Sequence, residues 1–431
     1  MTYEPVAAIE VSAWGRTIGY IAFDESIRAY AFEYHTDWQS AGIELDPINM
    51  PNGRRTHTFP ALPEATYLGL PPIVADSLPD SFGTAVLNAE LAREGVTRAD
   101  ITALDRLAYT ANRGMGALEF RPARGPRRTA PSMIHIVDLV TASRSTFSGV
   151  FDDDAHARAA LTQLILVGTS AGGARAKAVI AWNPTTDKIQ SGQVPVREGF
   201  EHWLIKLDGT GDDGALGTTT NWGRTEFAYY LMATAAGIVM SPSRLLNEGG
   251  RAHFMTRRFD RDGNSKIHLA SLCALGELDY KAIGVHDYAQ YFQTIDALGL
   301  SPDARHEAFR RMVFNVAAVN HDDHTKNFAF TLREGGRWEL APAYDVTHSN
   351  VPGNKWIGQH LMSVNGKFRE ITRDDLLVVA DRYQVPDASR TIDKVCAVVD
   401  NWAEYSRHAE VSTDRHELIA SDLKAARLRR R

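Results

Sequence analysis

Cysteine is scarce in this sequence. Cys273 and Cys396 are the only two among 431 residues, and no Cys-x-x-Cys pair or Cys/His spacing of a zinc site occurs. Two cysteines in so long a chain do not form a disulfide framework, and this usage is typical of a reducing compartment. We therefore expect a cytoplasmic protein.

Long apolar runs are also missing. Residues 1–5 lack the basic and then apolar run of a signal peptide. No stretch approaches the roughly 18 apolar residues that are needed to span a bilayer. The sequence therefore predicts a soluble, intracellular protein that does not contact a membrane.

The sequence has no excess of basic residues. Lysine and arginine number 47 against 53 aspartate and glutamate residues, which gives a formal net charge of −6. Because a protein neutralises nucleic-acid phosphates with a basic surface, this balance argues against nucleic acid as the main ligand. The basic tail, residues 424–431, is interpreted as a solvated chain end. The 44% content of hydrophobic residues excludes a mostly disordered chain.

The pattern of the chain changes twice along its length, which by itself suggests two or three domains. Residues 1–130 read as a β-rich N-terminal module, and residues 121–131 form a Pro- and Arg-rich linker. Residues 131–265 read as a small α/β nucleotide-binding lobe, and residues 266–431 as a larger, all-helical C-terminal lobe. We predict an α+β protein with two lobes and a nucleotide site between them.

Local patterns predict individual elements within these segments. Alternating or β-rich runs predict strands at 6–11, 17–23, 178–182, 203–207 and 253–259. Apolar residues at helical spacing predict helices at 84–94, 104–109, 134–142, 155–166 and 224–236. Two start signals mark further helices, namely Ser301 before Pro302, and Thr372 with Asp375 three positions later.

The segment 320–327 (NHDDHTKN) is a dense group of polar side chains directly after an apolar helical pattern. Phosphoryl transfer needs a carboxylate near the attacking hydroxyl and oxygen ligands for Mg²⁺. Asp322, with Asn327 five positions later, resembles the catalytic loop of protein kinases, in which the downstream Asn holds a metal ion. Asp345, soon after, supplies a second carboxylate for that metal ion.

Each of these residues also has a structural interpretation. Asp322 and Asp323 could cap a helix, Asn327 could occupy a turn, and Asp345 could begin an Asx-turn. His321 and His324 could be a pair of metal ligands, although no third ligand is evident. The presence of all three residues in this order, after a small α/β lobe, favours the functional interpretation.

Two further segments carry possible phosphate contacts. Residues 168–177 (GTSAGGARAK) are rich in glycine, and successive backbone N–H groups in such a loop can bind phosphate. The spacing of Gly173 and Lys177 excludes a Walker A loop, and a flexible connection is the alternative. Lys206 lies in an apolar strand, where a lysine is costly unless its ammonium reaches water or an anion. It could pair with Glu226, or it could protect a sheet edge from aggregation.

Taken together, these segments resemble the HipA family of bacterial toxin serine/threonine kinases. The resemblance runs nearly end to end and rests on residues 77–83, 114–120, 168–177, 204–207, 253–261, 320–327 and 341–346. It implies a two-lobed HipA/protein-kinase-like fold, ATP and Mg²⁺ as cofactors, and a location in the bacterial cytoplasm.

The resemblance also implies a role for each matching residue. Asp322 would be the catalytic base, Asn327 and Asp345 would hold Mg²⁺, and Lys206 would contact the ATP phosphates. Ser170 would be the autophosphorylation site, with Thr169 as a rival acceptor. The other residues implied to bind the nucleotide are Gly172, Gly173, Ala174, Arg175, Ala176, Lys177, Arg257, Arg258, Phe259, His324, Thr325, Lys326 and Tyr344.

The partners implied by the resemblance are proteins. One is a HipB-like helix-turn-helix antitoxin, through which DNA would be contacted only indirectly. The other is a protein substrate, which would be a translation factor or an aminoacyl-tRNA synthetase. Two other functions stay open, namely a catalytically silent binding module or corepressor, and a kinase for small molecules.

Overall fold

The computed structural model describes residues 3–93, 95–125, 134–136, 138–140, 143, 176–209 and 221–428. Three predicted features lie outside these residues. They are the helix at 155–166, the glycine-rich loop as far as Arg175, and the acceptor Ser170 with its neighbour Thr169. Within the described ranges, no helix combines the length and the apolar character that are needed to cross a bilayer.

The N-terminal module consists of one antiparallel sheet with short helices. Its strands are β1 (Ala8–Ala13), β2 (Arg16–Asp24), β3 (Ala29–Tyr34), β4 (His57–Thr58) and β5 (Glu119–Arg121). Its helices are α1 (Thr36–Ala41), α2 (Glu64–Tyr67), α3 (Pro72–Ala75), α4 (Ser81–Arg93) and α5 (Ala103–Thr110). The sheet order is β4-β3-β2-β1-β5. Trp14 and Gly15 join β1 to β2 with φ values of 52° and 75°, which suits a tight hairpin turn.

The small lobe contains a five-stranded antiparallel sheet and a helix that packs against it. Its strands are β6 (Lys177–Trp182), β7 (Ile189–Ser191), β8 (Glu201–Lys206), β9 (Ser243–Glu248) and β10 (Arg251–Arg257), in the order β7-β6-β8-β10-β9. The helix α6 (Trp222–Ala236) ends at Gly237, whose φ of 93° permits the left-handed C-cap. The predicted strands and this helix are confirmed. A short hairpin of β11 (Arg261–Asp262) and β12 (Ser265–Lys266) follows, so the predicted division at residues 265/266 falls inside β12.

The C-terminal lobe contains more than helices, so the prediction of an all-helical lobe is wrong. Its strands are β13 (His268–Ser271), β14 (His286–Asp287), β15 (Ala329–Leu332), β16 (Trp338–Leu340) and β17 (Met362–Ser363). Its helices are α7 (Leu272–Leu275), α8 (Tyr288–Ala297), α9 (Pro302–Ala317), α10 (Arg373–Arg382), α11 (Ala388–Asp400), α12 (Trp402–His408) and α13 (Thr413–Ala425). Sheet β13-β15-β16 forms by pairing of segments far apart in sequence, and strands this short leave too little alternation to recognise.

Both predicted helix starts in this lobe are confirmed. Thr372 and Asp375 form a capping box at the start of α10. Pro302 is the first residue of α9, while the Ser301 side chain makes no capping hydrogen bond.

The N-terminal module packs against both lobes. One hydrophobic core contains its residues Trp38 and Tyr67 together with Phe314 of α9. Helix α4 does not belong to this core. Its residues Phe82 and Val86 pack instead in the core of the small lobe. The N-terminal module is therefore in direct contact with both the small lobe and the C-terminal lobe.

Candidate functional site

The polar segment 320–327 is a loop whose first two residues are held by backbone hydrogen bonds to two other segments. It follows α9, and the buried Val319 adopts a positive φ of 55°, which is unusual for a β-branched residue. The backbone N–H of Asn320 donates to the Asn315 carbonyl (2.9 Å), and that of His321 donates to the Ser349 carbonyl (3.0 Å). Such backbone strain persists where the surrounding structure fixes it, and it is frequent at functional sites.

Asp322 presents its carboxylate at the surface of this loop. Its side chain is 36% exposed, and its Oδ1 accepts a hydrogen bond from the indole N–H of Trp356 (2.6 Å). The Nε2 of His324 lies 3.7 Å from the same oxygen. The amide of Asn327 donates to the Asp322 carbonyl (2.8 Å), so the loop folds back on itself. Burial raises the pKa of Asp322, against the lowering effect of His324 and Trp356, which favours a carboxylate that accepts protons.

Asp323 has the opposite orientation and lies in the interior. Its Oδ2 accepts hydrogen bonds from the Tyr288 hydroxyl and from His360 Nδ1, each at 2.8 Å, and its Oδ1 accepts one from the Leu361 backbone N–H (2.7 Å). The Asn315 amide donates to the Tyr288 hydroxyl (2.9 Å). This network fixes the base of the loop to α8 and to the segment before β17. The sequence indicated Asp323 only as a possible helix cap, and the adjacent Asp-Asp pair was the available signal for this interior role.

A compact ionic cluster lies at the end of β8. The Lys206 ammonium contacts carboxylate oxygens of both Glu226, on α6, and Asp345, whose φ is 54°. The structure therefore contains the Lys206–Glu226 pair. Burial acts to lower the pKa of Lys206, but the two carboxylates outweigh it and raise that pKa. Burial acts to raise the pKa of Asp345, but Lys206 and Lys177 outweigh it and hold that pKa below its usual range.

Lys177 adjoins this cluster from the neighbouring strand. As the first residue of β6 it pairs directly across the sheet with Lys206. Its Nζ lies 3.7 Å from Asp80 Oδ2, and both side chains are buried. Of the predicted phosphate loop, Ala176 and Lys177 are described and buried, whereas Gly172, Gly173, Ala174 and Arg175 lie outside the described residues.

The residues that the resemblance places at the adenine differ in orientation. Arg257 is exposed and lies 3.7 Å from Glu201, whereas Arg258 is buried and donates two hydrogen bonds to Asp260, at 2.8 and 2.6 Å. The Arg258 side chain is thus committed to a structural ion pair. The ring of Phe259 lies 5.8 Å from that of Tyr344, so these two aromatic residues lie side by side.

The remaining predicted residues support the loop and its surroundings. The Thr325 hydroxyl donates to the Leu278 carbonyl (2.9 Å), and the Tyr344 hydroxyl donates to the Lys326 carbonyl (2.6 Å). The Lys326 ammonium lies 5.0 Å from the centre of the Tyr280 ring and 3.8 Å from Asp76 Oδ1. The rings of Tyr280, Trp356 and His324 contact one another beside Asp322.

The oxygen donors predicted for Mg²⁺ lie together. Asn327 and Asp345 line one small cavity, which Asn320 and Asp323 also border. Amide and carboxylate oxygens suit Mg²⁺, which usually takes one or two protein ligands besides water and phosphate oxygens. Within the described part of the chain there is no cluster of three or more His, Cys, Asp or Glu side chains that could hold a metal ion. This donor set therefore fits a magnesium ion that is shared with a phosphate ligand.

Comparisons with known proteins agree with this architecture. The HipA N-terminal domain matches residues 9–121, and the HipA-like C-terminal domain matches residues 169–403. No curated protein matches the sequence. The HipA chain of the Shewanella oneidensis MR-1 toxin–antitoxin complex, solved with HipB and its operator DNA, has a similar structure. It shares 16% identity with a TM-score of 0.66, over 97% of this chain and 96% of that one.

A second solved structure is similar over a smaller part of the chain. The Helicobacter pylori proinflammatory kinase CtkA shares 15% identity with a TM-score of 0.36, over 52% of this chain and 86% of its own. The family itself is decided by the two domain matches, the larger of which covers more than half of the chain. The predicted two-lobed HipA-like fold is confirmed, and the chain belongs to the HipA family.

Proposed function

We propose that this protein is an ATP- and Mg²⁺-dependent serine/threonine protein kinase and the toxin of a toxin–antitoxin pair. One observation carries the proposal. Residues up to 139 positions apart in sequence are joined by contacts, since Asn327 donates to Asp322, Asn327 and Asp345 line one cavity, and Lys206 contacts both Asp345 and Glu226. These are the groups that phosphoryl transfer from ATP requires.

Asp322 acts as the base in the proposed reaction. An acceptor hydroxyl passes its proton to the carboxylate of Asp322 as its oxygen bonds to the γ-phosphorus, and the bond from that phosphorus to the leaving ADP breaks. Trp356 and His324 orient the carboxylate through their contacts with Oδ1. The raised pKa of Asp322 supports this role, because a base is more effective when its pKa is closer to the working pH.

The other residues bind and align the nucleotide. Asn327 and Asp345 would hold Mg²⁺, which would neutralise charge on the phosphates during transfer. Glu226 orients Lys206 toward the phosphates, and the Asp345 carboxylate contacts the same ammonium. Phe259 and Tyr344 would border the nucleotide. The described phosphate-loop residue Lys177 lies close enough to Lys206 to act on the same phosphates.

The proposed biological setting rests on the family to which the chain belongs. A HipB-like antitoxin is the proposed partner, because the HipA of Shewanella oneidensis was solved with HipB and operator DNA. DNA contact would then be made through the antitoxin. The proposed substrate is a translation protein, either a translation factor or an aminoacyl-tRNA synthetase, and Ser170 is the proposed autophosphorylation site. The proposed place of action is the bacterial cytoplasm.

The proposal can be tested with isosteric variants of two aspartates in the same lobe. Dephosphorylated wild-type protein, Asp322→Asn and Asp414→Asn are incubated with Mg²⁺ and ATP, and phosphopeptides are mapped by mass spectrometry. Asp414 is exposed in the first turn of α13 and serves as the control. We expect phosphate on Ser170 in wild type and in Asp414→Asn. The rate in Asp322→Asn should fall by about 10² to 10⁴, the contribution typical of acid–base catalysis.

Three results would contradict the proposal. An Asp322→Asn protein that transfers phosphate at the wild-type rate would remove the assigned base. Wild-type protein that neither binds Mg²⁺–ATP nor transfers phosphate, to itself or to proteins of a bacterial lysate, would instead indicate a silent binding module. Phosphate found on metabolites alone would indicate a small-molecule kinase.

A further inference from the structure

The segment 76–83 of the N-terminal module borders the candidate site. Asp76 accepts hydrogen bonds from the backbone N–H (2.7 Å) and the hydroxyl (2.8 Å) of Ser271, and it lies 3.8 Å from Lys326 of the 320–327 loop. Asp80 lies 3.7 Å from Lys177 of the small lobe. Two aspartates of one short segment thus contact lysines on opposite sides of the region between the lobes.

Asp80 is held rigidly by its own segment. It precedes α4, and its Oδ1 accepts a hydrogen bond from the backbone N–H of Gly83 (2.7 Å), which is a typical N-cap contact. Helix α4 in turn inserts Phe82 and Val86 into the core of the small lobe, to which Ala176 and Ala178 also belong. The position of Asp80 relative to β6 is therefore fixed by packing.

The second oxygen of Asp80 faces Lys177. Among the residues that the structure describes, Asp80 Oδ2 is buried and accepts no hydrogen bond, and it lies within ion-pair distance of the Lys177 ammonium. Burial raises the pKa of Asp80 to about 6, and Lys177 acts in the opposite direction. Burial also lowers the pKa of Lys177, whereas Asp345 and Asp80 favour its charged form. A buried lysine needs such carboxylates to stay charged and to keep one orientation.

We propose that Asp80 is a positioning residue of the kinase site, which holds the Lys177 ammonium where the ATP phosphates bind. The N-terminal module is then part of the nucleotide site, and nucleotide affinity depends on how α4 is docked. The inference rests on the proposed function, since it requires that the site binds ATP. It concerns a residue that lies almost 100 positions before Lys177 in the sequence.

The experiment uses the full chain and the substitution Asp80→Asn. Asparagine is as good an N-cap as aspartate, so this change keeps the contact with Gly83 and removes the negative charge. The dissociation constant of Mg²⁺–ATP is measured by calorimetry for wild type, Asp80→Asn, Lys177→Gln and the double variant. Asp100→Asn, an exposed aspartate of the same module, is the control. If Asp80→Asn fails to fold, Asp80→Ser retains the cap and replaces it.

We expect Asp80→Asn to weaken Mg²⁺–ATP binding about fivefold to tenfold, or about 1 to 1.4 kcal/mol. The double variant should bind no more weakly than Lys177→Gln, because Asp80 acts through Lys177. Unchanged binding in Asp80→Asn would refute the inference. Tighter binding would refute it as well, because it would show that the Asp80 carboxylate only repels the phosphates. Equal losses in both backgrounds would also refute it. Wild-type protein that does not bind Mg²⁺–ATP would refute the proposed function itself, and the inference with it.

Discussion

Replacing Asp322 and Asp323 separately by alanine tests the central distinction in the site. The two aspartates are neighbours in sequence but opposite in environment. Asp322 has a side chain that is 36% exposed and one hydrogen bond from Trp356, whereas Asp323 is 1% exposed and accepts three hydrogen bonds. We expect Asp322→Ala to abolish phosphoryl transfer with little change in stability, and Asp323→Ala to lower stability strongly.

The size of the stability effect follows from the contacts of Asp323. Truncation removes a buried carboxylate and leaves donors of Tyr288, His360 and Leu361 without their acceptor. Hydrogen bonds to charged groups contribute about 1.5 to 3 kcal/mol each, but the carboxylate itself is costly to bury. Breaking such a buried network by removing one member typically costs about 3 to 5 kcal/mol. For Asp322→Ala we expect a loss below about 1 kcal/mol, since its carboxylate is partly solvated.

Urea unfolding followed by circular dichroism measures both variants against wild type. The activity assay is phosphopeptide mapping at a temperature where each protein is folded. The distinction between the two aspartates is refuted if Asp323→Ala is no less stable than Asp322→Ala. It is also refuted if Asp322→Ala loses several kcal/mol, because Asp322 would then be a structural residue, as in the alternative that it caps the local backbone.

Two further predictions concern the small lobe and the segment that follows its last strand. Gly223→Ala would place a methyl group against the backbone of β10, so α6 must shift and carry Glu226 with it. We expect about 1 to 3 kcal/mol of destabilisation and weaker Mg²⁺–ATP binding, whereas Gly53→Ala, at an open position, should change neither. Asp260→Asn should destabilise the protein at neutral pH, because Asp260 is fully buried and hydrogen-bonded to Arg258 and Arg261. Those arginines outweigh burial and depress the pKa of Asp260. The difference in unfolding free energy between wild type and Asp260→Asn, measured in urea, should therefore be present above about pH 4 and shrink as the pH falls below it. A difference that grows on acidification, or an Asp260→Asn variant as stable as wild type, would contradict this assignment.

The N-terminal module contacts both lobes around the candidate site. Its core is continuous with that of the C-terminal lobe, while α4 packs into the small lobe. The Asp260 carboxylate, between the lobes, also accepts a hydrogen bond from the module's Gly116 N–H (2.8 Å). Substitutions that loosen the module are therefore expected to act on the site as well as on stability.

Local sequence patterns alone predicted the elements whose stability depends on nearby residues. The alternation at 17–23, the capping signal at Thr372 and the glycine after α6 all correspond to observed features, because each depends on neighbours within a few positions. The sequence also predicted that Asp322, Asn327, Asp345 and Lys206 belong to one site. Residue types and order predicted this for Asp322, Asn327 and Asp345, and the resemblance to the HipA family added Lys206.

Tertiary structure alone decided which of two adjacent aspartates is buried, and which distant residues complete the site. The partners of Asp323 come from α8 and from the segment before β17, and Asp80 meets Lys177 across 97 positions. The sheet in the C-terminal lobe likewise joins residues 268–271 with 329–332. Contacts of this kind depend on how whole elements pack, and no local periodicity or propensity specifies them. The sequence therefore predicted which residues form the candidate site, whereas the contact between Asp80 and Lys177 became visible only in the folded chain.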